Sequence, residues 1–279
     1  MTGDGAPQQG TLFIVSTPIG NLADLSPRAI ETLRTATLIL AEDTRHSRTL
    51  LTHAGISTPL ESYHEHNEAR TTPKAVARML AGGSIALISD AGTPLLSDPG
   101  ARLVRAAIDA GIPVSPIPGP SALLAGLVGS GLAADRFTFY GFLDRRGTDR
   151  TEALADIVAL PHTAVVYEAP ARVGALLTAL ASAGAGDREA VVARELTKKF
   201  EEFARGTVRE LAERFSASQP RGEVVVLIGG APVVEVDESA MRERAGALKA
   251  QGTSAREVAR VLTLELGASR NLAYRIAHE

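Results

Sequence analysis

Residues 85–110 read IALISDAGTPLLSDPGARLVRAAIDA, and this stretch decides the fold. Residues 85–89 form a short apolar run, as a buried strand does. Residues 90–100 (DAGTPLLSDPG) make a loop rich in Gly and Pro, and residues 101–110 have helical spacing closed by Gly111. A strand, a shaped loop and a helix in that order predict a βαβ unit and a parallel sheet.

The same grammar extends in both directions. Upstream, residues 11–16 (TLFIVS) and 38–41 read as strands. Ser26 is an N-cap with Pro27 at the first position of a helix running to residue 36. Residues 45–54 form a helix stopped by Gly55, and Thr72-Pro73 opens another, closed by Gly82-Gly83. Downstream, 114–117 is a strand, followed by a Gly- and Pro-rich stretch over 116–131. The alternation then resumes, with strands at 137–140, 163–167, 190–195 and 224–228 and helices at 151–159, 173–183 and 208–215. The expected fold is two α/β domains, 11–118 and 119–234, with a mostly parallel, covered sheet. Residues 1–10 read as a disordered leader.

The tail, 235–279, differs in character. Three helices are predicted at 237–251, 254–265 and 269–277. Ser254 and Glu257 form a capping box, and Gly267 turns the chain toward Ser269, the cap of the last helix. This is a helix-turn-helix-like pattern. Over 249–278 the bases Lys249, Arg256, Arg260, Arg270 and Arg275 outnumber the acids Glu257 and Glu265. Two readings stay open: a packing or dimerisation appendage, and a nucleic-acid contact module.

The 279 residues suit about two domains of roughly 100–200 residues. No cysteine is present, which excludes disulfides, a thiolate nucleophile and Cys-containing metal sites. There is no Trp and aromatics are 4%, which argues against extended base-stacking platforms. The net charge of −3 excludes a globally basic nucleic-acid binder, so any such contact is local. Only four of the 29 bases are lysines, which fits either phosphate recognition by Arg or codon bias. The first residues lack a signal-peptide pattern, and no apolar run nears the ~20 residues of a membrane span. The expectation is a cytoplasmic protein with no membrane partner.

Phosphate-loop signatures are missing: there is no GxxxxGK[ST], and no GxGxxG follows the first strand. Gly126-x-x-Gly129-x-Gly131 follows a predicted helix, 121–128, and reads as helix packing and loop. Four Pro/Gly loops instead follow predicted strands, at 17–22, 90–100, 116–122 and 167–170. Ligands of open α/β sheets bind at the carboxyl ends of strands, so four such loops predict one shaped pocket.

Three charged segments accompany them. Glu42 and Asp43 meet a helix N-terminus, as caps or as reactive carboxylates. His64 and His66, with Glu65, Glu68 or Asp43, have metal-ligand chemistry, but no third ligand is fixed and no metal is expected. Residues 194–202 (RELTKKFEE) read as a solvated face or as the seat of a reactive lysine. A lysine base would need a lowered pKa, from burial or from Arg194 and Lys199. Residues 144–150 (DRRGTDR) read as a mobile loop or a phosphate clamp.

These segments, in this order, resemble the tetrapyrrole methylase superfamily, and more closely its branch of bacterial 16S rRNA (cytidine-2′-O)-methyltransferases. The resemblance rests on IVSTPIGNLADLSPRA (14–29), AEDTRHSRTLL (41–51), SYHEHNE (62–68), ISDAGTPLLSDPG (88–100), PIPGPSA (116–122), GFLDRR (141–146), VVYEAPARV (165–173) and ARELTKKFEE (193–202). The tail, 252–278, is similar to the branch's C-terminal helical domain. The chain departs from the branch at Ala169 and Ala171, where Ser and His are usual, and at Asp144, where Pro is usual. The resemblance implies a cleft between the α/β domains that holds S-adenosylmethionine. Its contacts would be Pro18, Ala91, Gly92, Thr93, Ser121, Ala122, Tyr167, Glu168 and Leu196. It also implies a homodimer and, as partner, 16S rRNA in the small ribosomal subunit. Lys198, Glu42 and Asp43 are the candidates to take the 2′-hydroxyl proton. Arg45, His64, His66, Arg145, Arg146, Arg270 and Arg275 are the candidate RNA contacts.

Two other readings share parts of this pattern. A methylase of a tetrapyrrole intermediate would usually carry Gly-Pro-Gly-Asp in the first loop, where this chain has TPIGNL, and would lack the tail. A ligand-sensing nucleic-acid-binding protein would bind the cofactor and transfer nothing.

Overall fold

Four-residue apolar runs such as LILA and IALI become strands buried at every position, because helices cover both faces of their sheet. The computed structural model describes residues 9–232, 238–266, 268 and 270–279. Its first sheet contains β1 (Leu12–Val15), β2 (Leu38–Ala41), β3 (Leu60–Ser62), β4 (Ile85–Ile88) and β5 (Val114–Ile117), all parallel, in the order β3-β2-β4-β1-β5. Ile39 and Ala41 pack on one face with Ala29 and Leu33 of α1 (Pro27–Thr35) and Leu50 of α2 (Thr44–His53). Leu38 and Leu40 pack on the other with Met79 of α3 (Glu68–Leu80) and Leu103 of α4 (Ala101–Asp109). Ser26 caps α1 by accepting the Ala29 N–H at 3.1 Å.

The second sheet corrects the expectation of a mostly parallel arrangement. It comprises β6 (Phe137–Phe142), β7 (Thr163–Glu168), β8 (Glu189–Arg194), β9 (Glu202–Thr207) and β10 (Val224–Ile228), ordered β6-β7-β10-β8-β9. Only β6 and β7 run parallel. The link 195–201 between β8 and β9 is too short for the crossover of a dozen or more residues that a parallel pair needs. One face is covered by α5 (Ala122–Ser130), the other by α6 (Thr148–Ala159), α7 (Val173–Leu180) and α8 (Val208–Ala217). Ile19, from the loop after β1, packs in the core beneath α5.

Two strands escape a sequence reading. β3 is short and mostly exposed, and β9 (EFARGT) lacks an apolar run. The helix expected to open at Thr72-Pro73 starts earlier, at Glu68, with Pro73 inside it. The His64 and Asn67 carbonyls accept the first N–H groups of that helix, so local hydrogen bonding overrides the preference for Pro at its start.

The chain divides into two compact units, one up to Ala231 holding both sheets and one from Pro232. The second unit consists of α9 (Glu238–Ala250), α10 (Ala255–Leu266) and α11 (Arg270–His278), closed around Met241, Leu248, Val258, Leu262 and Ile276. Of the leader expected at 1–10, Gly10 is instead buried, its N–H donating to the Met79 carbonyl at 2.8 Å; residues 1–8, the helix start at Asp237, the turn at Gly267 and the cap at Ser269 lie outside the described residues. Among the described residues no helix is long and apolar enough to cross a membrane.

Candidate active site

The loops after β1, β4 and β5 are tied into one wall. Thr17 and Gly92 exchange backbone hydrogen bonds of 2.8 and 3.0 Å. The Thr93 hydroxyl lies 3.0 Å from the Ser16 hydroxyl and donates to the Pro120 carbonyl at 3.1 Å. Gly92 stands at φ 82°, and a Cβ there would lie 3.3 Å from Ile19. Leu95 and Ser97 hold φ of 74° and 70° without glycine's freedom. Such residues cost about 1–3 kcal/mol each and cluster at functional sites.

The opposing wall comes from the second sheet. The Tyr167 hydroxyl accepts the Leu123 N–H at 3.0 Å, fixing the end of β7 to the start of α5. Burial raises the Tyr167 pKa, the Leu123 N–H works against it, and the charge of Asp98 adds to it. The buried Glu168 carboxylate accepts the Ala169 N–H at 2.8 Å and pairs with Arg172 at 2.6 Å. It therefore holds the turn after β7. Glu195 and Thr197, at φ 51° and 64°, shape the loop after β8.

Between these walls lies a cavity of about 320 Å³, in the range of small-molecule sites. Ala91, Gly92, Thr93, Ser121, Ala122, Tyr167, Glu168 and Leu196 all line it. Pro18 does not, and its neighbour Ile19 takes that place. Asp90, Asp98, Phe142 and Glu223 also line the cavity, and sequence reasoning singled out none of them. Asp90 and Asp98 were accessible to it, as the two acids within one strand-end loop. Phe142 and Glu223 depend on a strand irregularity and on a loop placement that carry no local signal.

The three candidate proton acceptors sit in different surroundings. Asp43 caps α2: its carboxylate accepts the Arg45 N–H at 2.8 Å and pairs with the Arg45 guanidinium at 2.7 Å. Those bonds, the Arg45 side chain first, hold its pKa well below the usual carboxylate range. Glu42 is pushed up, first by burial and then by the charges of Asp98, Asp90 and Asp43. Burial likewise raises Asp98, against a hydrogen bond from Ser89 and with repulsion from Asp90. The Lys198 ammonium donates to Glu195 and Glu223, both at 3.1 Å, and its stem crosses Gly20. Burial works to lower its pKa, but the two carboxylates outweigh it and the net shift is upward. The lowered pKa that a lysine base would need is not supplied here, and Arg194, which could have contributed to it, is itself paired with Glu202 at 2.6 Å.

The candidate RNA contacts are dispersed. Arg45 is exposed and paired with Asp43. His64 is half-buried against Asn67, and His66 is exposed, with the two rings 5.9 Å apart. Among the described residues no group of three or more His, Asp or Glu is placed to hold a metal. Arg145 and Arg146 lie exposed after β6. In the helical unit Arg270 is exposed, while Arg275 pairs with Glu238 at 2.9 Å.

Comparison with known proteins agrees with this architecture. The tetrapyrrole (corrin/porphyrin) methylase family profile matches residues 11–212. The chain is 44% identical to a ribosomal RNA small subunit methyltransferase I of Synechocystis sp., over 97% of this chain and 98% of that one. It is 53% identical to the Xylella fastidiosa protein of the same name, over 80% and 82% of the two chains. A Thermus thermophilus uroporphyrin-III C-methyltransferase complexed with S-adenosylhomocysteine shares the fold, with a TM-score of 0.58 at 20% identity over 79% of this chain and 97% of that one. The chain therefore belongs to the tetrapyrrole methylase family, in the branch of the ribosomal RNA small subunit methyltransferases I.

Proposed function

We propose that the protein methylates the 2′-oxygen of a cytidine ribose in 16S rRNA of the small ribosomal subunit, with S-adenosylmethionine as methyl donor. The observation that carries this reading is similarity along almost the whole chain, tail included, to proteins named for that RNA, in a chain whose strand-end loops converge on one ligand-sized cavity. The cradle suits the donor: Gly92 and the left-handed residues beside it keep backbone close to the space, and Ile19, Leu196 and Val225 supply apolar walls. When bound, the donor supplies an already activated sulfonium methyl. The protein's task is then alignment of the acceptor oxygen and removal of its proton.

Asp98 is the group assigned to that proton. It stands on the cavity wall, where burial first and then repulsion from Asp90 favour proton uptake. With the donor held in the cavity, the Asp98 carboxylate would take the proton of the acceptor hydroxyl as that oxygen receives the methyl. Lys198, held between Glu195 and Glu223, closes the charges of the loop after β8 and keeps its shape. Asp43 holds the α2 terminus on which Glu42 is placed. Arg145, Arg146 and Arg270, unpaired among the described residues, are suited to phosphate, with Arg45, His64, His66 and Arg275 as secondary contacts. The functional division follows the sheets, 11–118 and 119–234, with 235–279 as an RNA-contacting appendage. A homodimer in the cytoplasm is part of this reading, supported by the exposed Leu124 and Val128 of α5.

Label transfer tests the reading. Purified protein is incubated with methyl-labelled S-adenosylmethionine and small subunits lacking the modification, and the RNA is then digested and mapped. The expected result is label on one cytidine 2′-oxygen. Cofactor binding without label in RNA would refute it.

A further inference from the structure

Along β6, Phe139 packs into the apolar cluster beneath α5, whereas Tyr140 packs against the opposite cluster, under α6, α7 and α8. Strict alternation would send residue 142 to the side of Tyr140. A β-bulge intervenes. Phe139 pairs with Val165, Gly141 with Val166 and Phe142 with Tyr167, so one extra residue enters β6. Val165 and Tyr167 belong to the side of Phe139, and Val166 to the other. The bulge, with Gly141 at φ 62°, therefore turns Phe142 from the core side to the cavity side.

There the ring meets Tyr167 edge-on at 5.6 Å between centroids, lines the cavity, and stays 60% exposed. Tyr167 is itself held by the Leu123 N–H and by Phe139 at 4.9 Å, so the support beneath Phe142 is fixed. Burying a Phe side chain would stabilise the fold. A left-handed glycine and a broken ladder instead hold this ring open. Arg145 and Arg146 follow within four residues, exposed and with no carboxylate partner among the described residues. Arg150 donates to the Asp144 carbonyl at 3.0 Å and so ties their loop to α6. A flat apolar ring, followed closely in the chain by two guanidinium groups unpaired among the described residues, matches one nucleotide: the base stacks and the phosphates pair.

We propose that Phe142 is the platform on which the base of the methyl-accepting nucleotide stacks once it leaves the RNA fold, with Arg145 and Arg146 on the adjoining phosphates. The proposal rests on the RNA reading above. The test uses the full chain and unmodified small subunits. Phe142→Leu is expected to lower kcat/KM for the subunit by ~10–100-fold, the range of one base–aromatic stack. Its S-adenosylmethionine affinity, by calorimetry, should stay within about threefold of the unsubstituted value, and Phe142→Tyr should keep kcat/KM within about threefold. Ultraviolet crosslinking of the unsubstituted protein should join the methylated cytidine to Phe142. Unchanged kcat/KM in Phe142→Leu, an equal loss of cofactor affinity, or a crosslink at another residue would each overturn the proposal. If Phe142→Leu fails to fold, the crosslink decides. If the unsubstituted protein methylates RNA and either readout contradicts stacking, only the platform fails. If it transfers no methyl to RNA, the RNA reading fails and the platform with it.

Discussion

The loop after β4 and the loop after β8 both hold two non-glycine residues, two positions apart, in left-handed backbone: Leu95 and Ser97 in one, Glu195 and Thr197 in the other. Both reach the same cavity. Their charges are treated in opposite ways. Around the first loop Asp90, Asp98 and Glu42 gather with no ion pair to any of them among the described residues, and burial raises both Asp98 and Glu42. In the second, Lys198 lies between Glu195 and Glu223, and Arg194 is paired with Glu202. Backbone strain thus marks both loops as parts of the site but does not separate their roles. Charge compensation does: the first loop keeps carboxylates able to take a proton, while the second closes its charges on itself and holds shape.

Substitutions can break this contrast. The largest effect is expected at Gly92→Val, where a β-branched side chain meets left-handed backbone and Ile19; S-adenosylmethionine affinity by calorimetry should fall about 100-fold or more. Normal affinity would remove the first loop from the cofactor wall. Next comes Asp98→Asn. Turnover is expected to fall by at least ~100-fold, with cofactor affinity within about threefold. An affinity loss equal to the rate loss would make Asp98 a cofactor contact. For Lys198→Ala, a drop in turnover of about tenfold or less is expected, because the residue closes a charge cage and is not the proton acceptor. A loss as deep as that of Asp98→Asn would reverse the roles of the two loops.

The smallest effect is a stability change at Glu42→Gln. A carboxyl with a raised folded-state pKa binds its proton more readily folded than unfolded. Its charge therefore costs stability once pH rises above the ordinary value of 4.5, and nothing below it. At pH 7 the variant should melt higher by up to about 2–4 °C, and the gain should vanish in acid. A lower melting temperature at pH 7 would show that Glu42 is held by attraction instead of crowded by repulsion.

Most of the first sheet was legible because its signals are local. LFIV, LILA and IALI declare strands by composition, and Ser26-Pro27 declares a helix start by capping chemistry. The strand-end loops were legible too, since Gly and Pro mark where backbone turns sharply. In the second sheet β8 and β10 were legible as strands but not their antiparallel direction, and β9 was not legible at all: it gains its strand from β8 alone, as an edge with charged residues along it. The helix containing Pro73 was misjudged at its start because the turn at His64–Asn67 outweighs the residue preference.

By itself the sequence determined which segments are strands, which loops crowd the strand ends, and which family those loops resemble, because each of these follows from a few neighbouring residues. Tertiary structure alone decided the state and direction of the site's side chains. Lys198 is a caged cation because Glu223 arrives from 25 residues away, and the Glu42 pKa is raised by its burial and by Asp98 and Asp90, which come back to it from another loop. Phe142 faces the cavity because one extra residue in β6 inverts the alternation. Charge and orientation depend on distances through space, and only the folded chain sets those.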